Sequence, residues 1–335
     1  MSKSSPFVLV TGATGLLGNN VVRLLLKQGK PVRVLVRENS DREPLRELDV
    51  EVSHADIRDS AAVATACRGA SVIIHAAALV RIGGRGMDTF RAVNTEGTRN
   101  VVRAAQKESA RLIYVSTSDT ISCGTPGQLS DEGAAFDEKH ATCYSMSKYE
   151  GEQIVRDACT TGLHGVIVNP SFMLGPWDWK PSSGAMLAAV GCGRGAIAPS
   201  GYVCIADVRD VAAATISAAF SGTVGERYLL TGETLSYRKA WSLFAEVTGS
   251  RRPLCQLGPT PTKIVGAGGD LWGFLTGKEP IVNSTALRAA SCPRLYCSQK
   301  AKRDLGYQTR PLRETVEGAW KWFNPPERGT WVLGS

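Results

Sequence analysis

Residues 11–18 read Thr11-Gly12-Ala13-Thr14-Gly15-Leu16-Leu17-Gly18, between a β-branched run at Phe7 to Val10 and an amphipathic stretch at Leu16 to Gln28. Glycines let a backbone turn sharply and approach a pyrophosphate closely, and a helix N-terminus offers that anion unpaired N–H groups. The triplet Gly12, Gly15, Gly18 between strand and helix predicts a dinucleotide-binding turn, lined by Gly12, Thr14, Gly15, Leu16, Leu17 and Gly18. A second strand, Val32 to Val36, follows the helix, and the beat continues through Val50 to Ser53 and Val72 to His75. Next come a long helical stretch from Met87 to Lys107, a strand at Leu112 to Val115, a helix from Cys143 to Thr160 and a strand at Gly165 to Val168.

Continuous apolar strands alternating with helices predict a parallel sheet covered on both faces, joined by right-handed crossovers. The expected fold is α/β, a Rossmann-type doubly wound sheet. Beyond Asn169-Pro170 the pattern loosens into Gly- and Pro-rich segments around helices at Val208 to Phe220 and Tyr237 to Thr248. The expected organisation is therefore a dinucleotide-binding domain over 1–170 and a smaller α+β substrate lobe over 171–335. Some segments of that lobe return to the first domain, and two helices span Ser298 to Phe323, punctuated by Gly306.

The chain has 335 residues, 43% hydrophobic and 21% charged, enough to bury a core without staples and incompatible with disorder. Its net charge of +8 is scattered; no compact Lys/Arg run marks a nucleic-acid or membrane surface. Nine cysteines, an odd number without a leader sequence, predict buried free thiols in a cytoplasmic protein. No Cys/His set has metal-ligand spacing, and runs such as Val211 to Phe220 fall short of the ~20 residues that span a bilayer.

At the end of the second strand stands Arg37, where an NAD-preferring protein usually carries an acidic residue for the ribose hydroxyl. A guanidinium there suits a 2′-phosphate, so NADP(H) is expected over NAD(H), with Glu38 beside it still able to bind a hydroxyl. Tyr144-Ser145-Met146-Ser147-Lys148 puts a phenol and an ammonium at i, i+4 on one helix face, where the cation can lower the phenol's pKa for acid–base work. Upstream, Ser116-Thr117-Ser118-Asp119 closes a strand at the sheet's carboxyl edge, where ligands of such folds bind.

Together with Asp56-Ile57, His75-Ala76-Ala77-Ala78 and Asn169-Pro170-Ser171, these motifs resemble the extended short-chain dehydrogenase/reductases, most closely their dihydroflavonol 4-reductase-like branch within the epimerase/dehydratase proteins. The resemblance spans nearly the whole chain. It implies Tyr144 as acid–base, Lys148 tuning it and holding the nicotinamide ribose, and Ser118 as the substrate-orienting hydroxyl, with Ser116 and Thr117 as alternatives. It also implies Asp56 and Ile57 at the adenine, Ala76, Ala77 and Ala78 along the ribose and phosphates, Pro170 and Ser171 by the nicotinamide, and Asn94 near the cofactor.

Two departures narrow the activity. Dehydratases of this family carry Asp-Glu after the hydroxyl, and here Asp119-Thr120 lacks the Glu; the arginine that many nucleotide-sugar epimerases use on a diphosphate is also missing, though Arg194 or Arg209 could substitute. The expected function is NADP(H)-dependent reduction of a carbonyl, or oxidation of a secondary alcohol, on a small organic substrate; the alternative is a nucleotide-sugar epimerase with tightly bound NAD. Leu79, Arg81, Phe172 and Trp177 are candidate pocket walls, with Trp177 equally suited to packing between lobes. The resemblance further implies a homodimer through the Met87 to Lys107 and Cys143 to Thr160 helices.

Overall fold

The computed structural model describes residues 6–81, 86–181, 183–276 and 283–324. Seven strands form the central sheet: β1 (Phe7–Thr11), β2 (Val32–Val36), β3 (Glu51–His54), β4 (Ala70–His75), β5 (Arg111–Val115), β6 (Gly165–Pro170) and β10 (Arg227–Leu230). Their order is β10-β6-β5-β4-β1-β2-β3, and all pairings are parallel. Every residue of β1 and β6 is buried, as a strand covered by helices on both faces requires. Chain direction across the sheet reverses between β1 and β4, and the crevice beyond their carboxyl ends is the ligand position of such sheets.

Helices α1 (Leu16–Lys27), α7 (Val208–Ser221) and α11 (Gln299–Leu305) cover one face of the sheet. The other face carries α2 (Ser60–Cys67), α4 (Gly97–Glu108) and α5 (Cys143–Thr160). One continuous core joins Val8, Val10 and Val21 to Val208, Val211, Ala301 and Leu305, so the segments returning from beyond residue 170 are β10, α7 and α11.

The remaining residues build a second layer. β7 (Phe172–Leu174), β9 (Tyr202–Asp207) and β11 (Glu233–Ser236) form a three-stranded sheet, and β8 (Ile197–Ala198) pairs with β12 (Cys255–Gln256). Against it pack α6 (Gly184–Gly191), α8 (Tyr237–Thr248) and α12 (Leu312–Phe323) around Phe244 and Val316. An 18-residue helix, α9 (Pro259–Thr276), and α10 (Ser284–Ala290) lie together as a pair.

The stretch expected as one helix from Met87 to Lys107 is interrupted. α3 (Met87–Phe90) passes through a π-helical turn, Arg91–Glu96, before α4. One cause is visible at Asn94, whose amide is buried and engaged outside the helix. The expectation of free thiols is also corrected: Cys123 and Cys292 form a disulfide, while the other seven cysteines are free. These two residues are 169 apart in sequence, so no local spacing signals the pairing.

Candidate active site

The turn after β1 is shaped by its glycines. Gly12 has φ +72, and a Cβ there would lie 2.6 Å from the Ala77 nitrogen; one on Gly18 would collide with the Gly12 carbonyl. Those two positions are demanded by the fold itself. Gly15 differs: it is exposed, and a Cβ would meet only the Gly12 oxygen, at 3.4 Å. Gly15 is also the N-cap of α1, which has no side-chain cap and no acidic residue in its first turn. Open space before an uncapped helix start, with Thr14 and Leu16 half-buried beside it and Leu17 turned inward, fits a dinucleotide's pyrophosphate.

The segment after β4 faces this turn. Ala76 donates its N–H to the Thr11 carbonyl at 3.3 Å and Ala77 to the Thr11 hydroxyl at 3.1 Å, so Ala76, Ala77 and Ala78 border the crevice, half-buried. Arg37 is exposed at the end of β2. Glu38 beside it faces His54 at 3.4 Å and Arg42 at 3.9 Å, which leaves a net basic corner. Asp56 grips Arg58 through both oxygens, and that hydrogen bond holds its carboxyl below the usual range. Ile57 is buried beneath α4, where Asn100 donates to its carbonyl. At the ends of β5 and β6 the hydroxyls of Ser116 and Ser171 are buried without a partner, a fit for a ligand supplying hydrogen bonds at that edge.

Helix α5 brings in the phenol and the ammonium. Thr142 caps it, accepting from the Ser145 N–H while Ser145 accepts from the Thr142 N–H. Tyr144 and Lys148 thus start one turn apart, and the amine is engaged at the end of β5. Lys148 Nζ donates to the Val115 carbonyl at 2.7 Å and lies 4.1 Å from the Tyr114 ring centre. Burial lowers its pKa to about 7, with Glu152 pulling the other way. Tyr144 is not made acidic by this amine, contrary to expectation. Burial and then the charge of Asp119 push the phenol up, while the nearby Thr117 hydroxyl eases ionisation. Such a phenol keeps its proton at neutral pH and can act as a donor. Of the candidate hydroxyls, Thr117 is the one felt at the phenol; Ser118 begins a 3₁₀ turn, and its carbonyl accepts from Tyr296 at 3.3 Å.

His75 and Asn94 tie the crevice to α4. The Thr11 hydroxyl accepts from Ala77, so it donates to His75 Nδ1 at 2.7 Å; Nε2–H then donates to Thr98 at 3.1 Å, and Thr98 to the Asn94 carbonyl at 2.6 Å. Asn94 donates to Ser147 of α5 and brackets both backbone groups of Leu79. This relay needs a neutral imidazole, and burial, then Lys148, lowers its pKa to about 3. The unfolded chain binds the proton near pH 6.5, so the contribution is whole above that pH and is lost as pH falls toward 3. The expected slope is up to about 1.4 kcal/mol per pH unit. Urea denaturation of wild type and His75→Gln across that window should converge as pH falls; parallel curves would refute it.

Beyond Ser118 the neighbours come from distant sequence. Asp119 pairs with Arg294 at 2.5 Å, and both help line a small cavity of about 30 Å³ with Cys123, His140, Cys292 and Tyr296. Beneath it Glu152, fully buried, accepts from Thr120 at 2.7 Å and Asn169 at 2.6 Å and faces Arg227 at 3.3 Å. Sequence reasoning singled out none of Arg294, Tyr296, Glu152 or Arg227; their partners lie up to 178 residues away. Of the proposed pocket walls, Leu79 is held by Asn94, Arg81 is exposed, and Phe172 packs on the core of the second layer. Trp177 stacks between the Arg23 guanidinium, 3.4 Å from its ring centre, and Trp322, joining α1 to α12. Pro170 ends β6 as a buried residue. Among the described residues no His/Cys/Asp/Glu group could hold a metal ion.

Residues 8–192 match the model of the NAD dependent epimerase/dehydratase family. The chain belongs to this family. Sterol demethylase protein B of Methylococcus capsulatus is 31% identical over 325 residues, 96% of this chain and 98% of that protein. A putative dihydroflavonol 4-reductase of Synechocystis is 31% identical, over 94% and 93%. A ceramide reductase of Caulobacter vibrioides is 30% identical, over 82% and 80%. The crystal structure of gox2253 superposes with a TM-score of 0.84 at 32% identity, covering 95% of this chain and 98% of that one. The protein is an NAD(P)-dependent oxidoreductase of the extended short-chain dehydrogenase/reductase group.

Proposed function

We propose that this enzyme reduces a carbonyl, or oxidises the matching secondary alcohol, of a lipophilic small organic molecule with NADP(H). One observation carries the reading. Position 120 is a threonine locked onto Glu152, and Asp119 is committed to Arg294, so Tyr144 is the proton-bearing group left beside the strand-end hydroxyls. Of the two substitute anchors open to the epimerase alternative, Arg209 is spent on Asp207 at 2.6 Å, which leaves it the exposed Arg194. Relatives named for a sterol, a dihydroflavonol and a ceramide favour an apolar substrate.

The dinucleotide, when bound, supplies the two-electron exchange. Gly12, Thr14, Gly15, Leu16, Leu17 and Gly18 would hold its pyrophosphate, Arg37 its 2′-phosphate, Asp56 and Ile57 its adenine, and Ala76 to Ala78 its ribose path. Lys148, Pro170 and Ser171 would hold the nicotinamide side. Thr117 or Ser118 orients the carbonyl oxygen, and Tyr144 gives it a proton. The lobe beyond residue 170 would meet the substrate through the loop after α10, whose Arg294 and Tyr296 reach Asp119 and Ser118.

The test is titration with NADPH and NADH, followed by a panel of sterol, flavonoid and long-chain ketones read at the nicotinamide absorbance. NADPH is expected to bind more tightly, and Arg37→Ala to weaken it by about tenfold to a hundredfold while leaving NADH unchanged. Equal affinity for both in the wild type refutes the preference. Conversion of a nucleotide sugar with a cofactor that never exchanges refutes the reductase.

A further inference from the structure

The outer side of α9 has no role in the site. At about 100° per residue, Thr262, Gly266, Gly269, Asp270 and Gly273 share one side of this helix. That side turns inward: Thr262 and Gly266 are buried, and Gly266 abuts Ser284 and Leu287 at α10. The opposite half carries Ile264, Val265, Leu271, Trp272, Phe274 and Leu275, between 43% and 78% exposed, and no charged residue. The exposed charges of the two helices are basic: Lys263 at the edge of this half and Arg288 on α10. The single acid of the two helices, Asp270, is on the inward side.

We propose that this half of α9 docks on the surface of an anionic lipid bilayer, lying in the interface with its apolar side chains submerged. No helix among the described residues is long and apolar enough to cross a membrane, so the contact is interfacial. The width of the face selects the occupant. A helix–helix seam uses two or three positions in seven, whereas about half the circumference is apolar here and offers almost no hydrogen-bonding side chain to set a register. Lipid needs no register, and the net positive charge of the α9–α10 pair complements anionic headgroups. The sequence points away from membranes because it contains no basic run; which half of α9 stays uncovered is set only by its pairing with α10. α10 leads through Ala289 to Cys292 and the cavity beside Asp119, so the docked face lies one helix from the site. That link to a bilayer-borne substrate rests on the proposed function; the docking does not.

Full-length protein loaded with NADPH, sedimented with phosphatidylcholine vesicles containing phosphatidylglycerol, tests it. The wild type is expected to co-sediment, and to do so less with phosphatidylcholine alone. The variant Leu271→Ser/Phe274→Ser/Leu275→Ser should bind at least about tenfold more weakly, with NADPH affinity and unfolding midpoint unchanged. Equal sedimentation of wild type and variant overturns the proposal. So does a wild type that stays in solution and forms a dimer that the variant loses. Loss of NADPH binding in the wild type would instead sink the functional reading, leaving vesicle binding to be scored alone.

Discussion

Tyr144→Phe is expected to lower kcat for ketone reduction by about 10²–10⁴-fold while NADPH affinity and the unfolding midpoint stay at wild-type values. The substitution removes one hydroxyl and keeps the ring, so the core around α5 is spared. The loss falls on kcat because a proton donor acts in the transition state and contributes little to binding the ketone. The pH profile carries a second signature. Burial and Asp119 hold the phenol protonated through neutral pH, so its own ionisation should lower the rate only on the alkaline side, and a step near pH 7 belongs to Lys148. Thr117→Ala and Ser118→Ala, made separately, assign the orienting hydroxyl: the larger fall in kcat is expected from Thr117, the one whose hydroxyl is felt at the phenol. Tyr144→Phe with undiminished turnover would take the acid role away from this residue.

The parts of this site set by neighbours along the chain are legible in the sequence alone. The glycine turn, the alternation of strands and helices and the span of α5 follow from spacing and periodicity, which act over a few residues. What Lys148 does is not legible in that way. The i, i+4 rule puts it beside Tyr144, but in the low-dielectric interior its amine donates to the carbonyl of Val115, at the end of β5. Asp119 looks in sequence like half of a dehydratase pair. Only the folded chain shows that its charge is spent on Arg294, which arrives with the loop after α10. The Cys123–Cys292 bond and the apolar half of α9 are equally hidden, because both depend on how that late segment folds back over the sheet.

Glu152→Ala is expected to cost about 3–5 kcal/mol, a large share of the roughly 5–15 kcal/mol by which a domain is folded. Glu152 is fully buried, and Arg227 opposite it is nearly so. Truncation leaves that guanidinium without its counter-charge, still donating to the carbonyls of Glu132 and Ala134 but with a net charge in the interior. It also strips the acceptor from Thr120 and Asn169, which stand beside Asp119 and Pro170, so the ends of β5 and β6 lose their common anchor. Glu152→Gln keeps an oxygen for both donors and should cost less. Removing the cation as well, in Glu152→Ala/Arg227→Met, should recover part of the loss, since two absent charges are cheaper than one unpaired. Urea denaturation of the four proteins reads this directly, and NADPH titration of those that fold shows whether the strand ends have shifted. A Glu152→Ala midpoint equal to wild type, or a double variant no more stable than Glu152→Ala, would mean the carboxylate is not what neutralises Arg227.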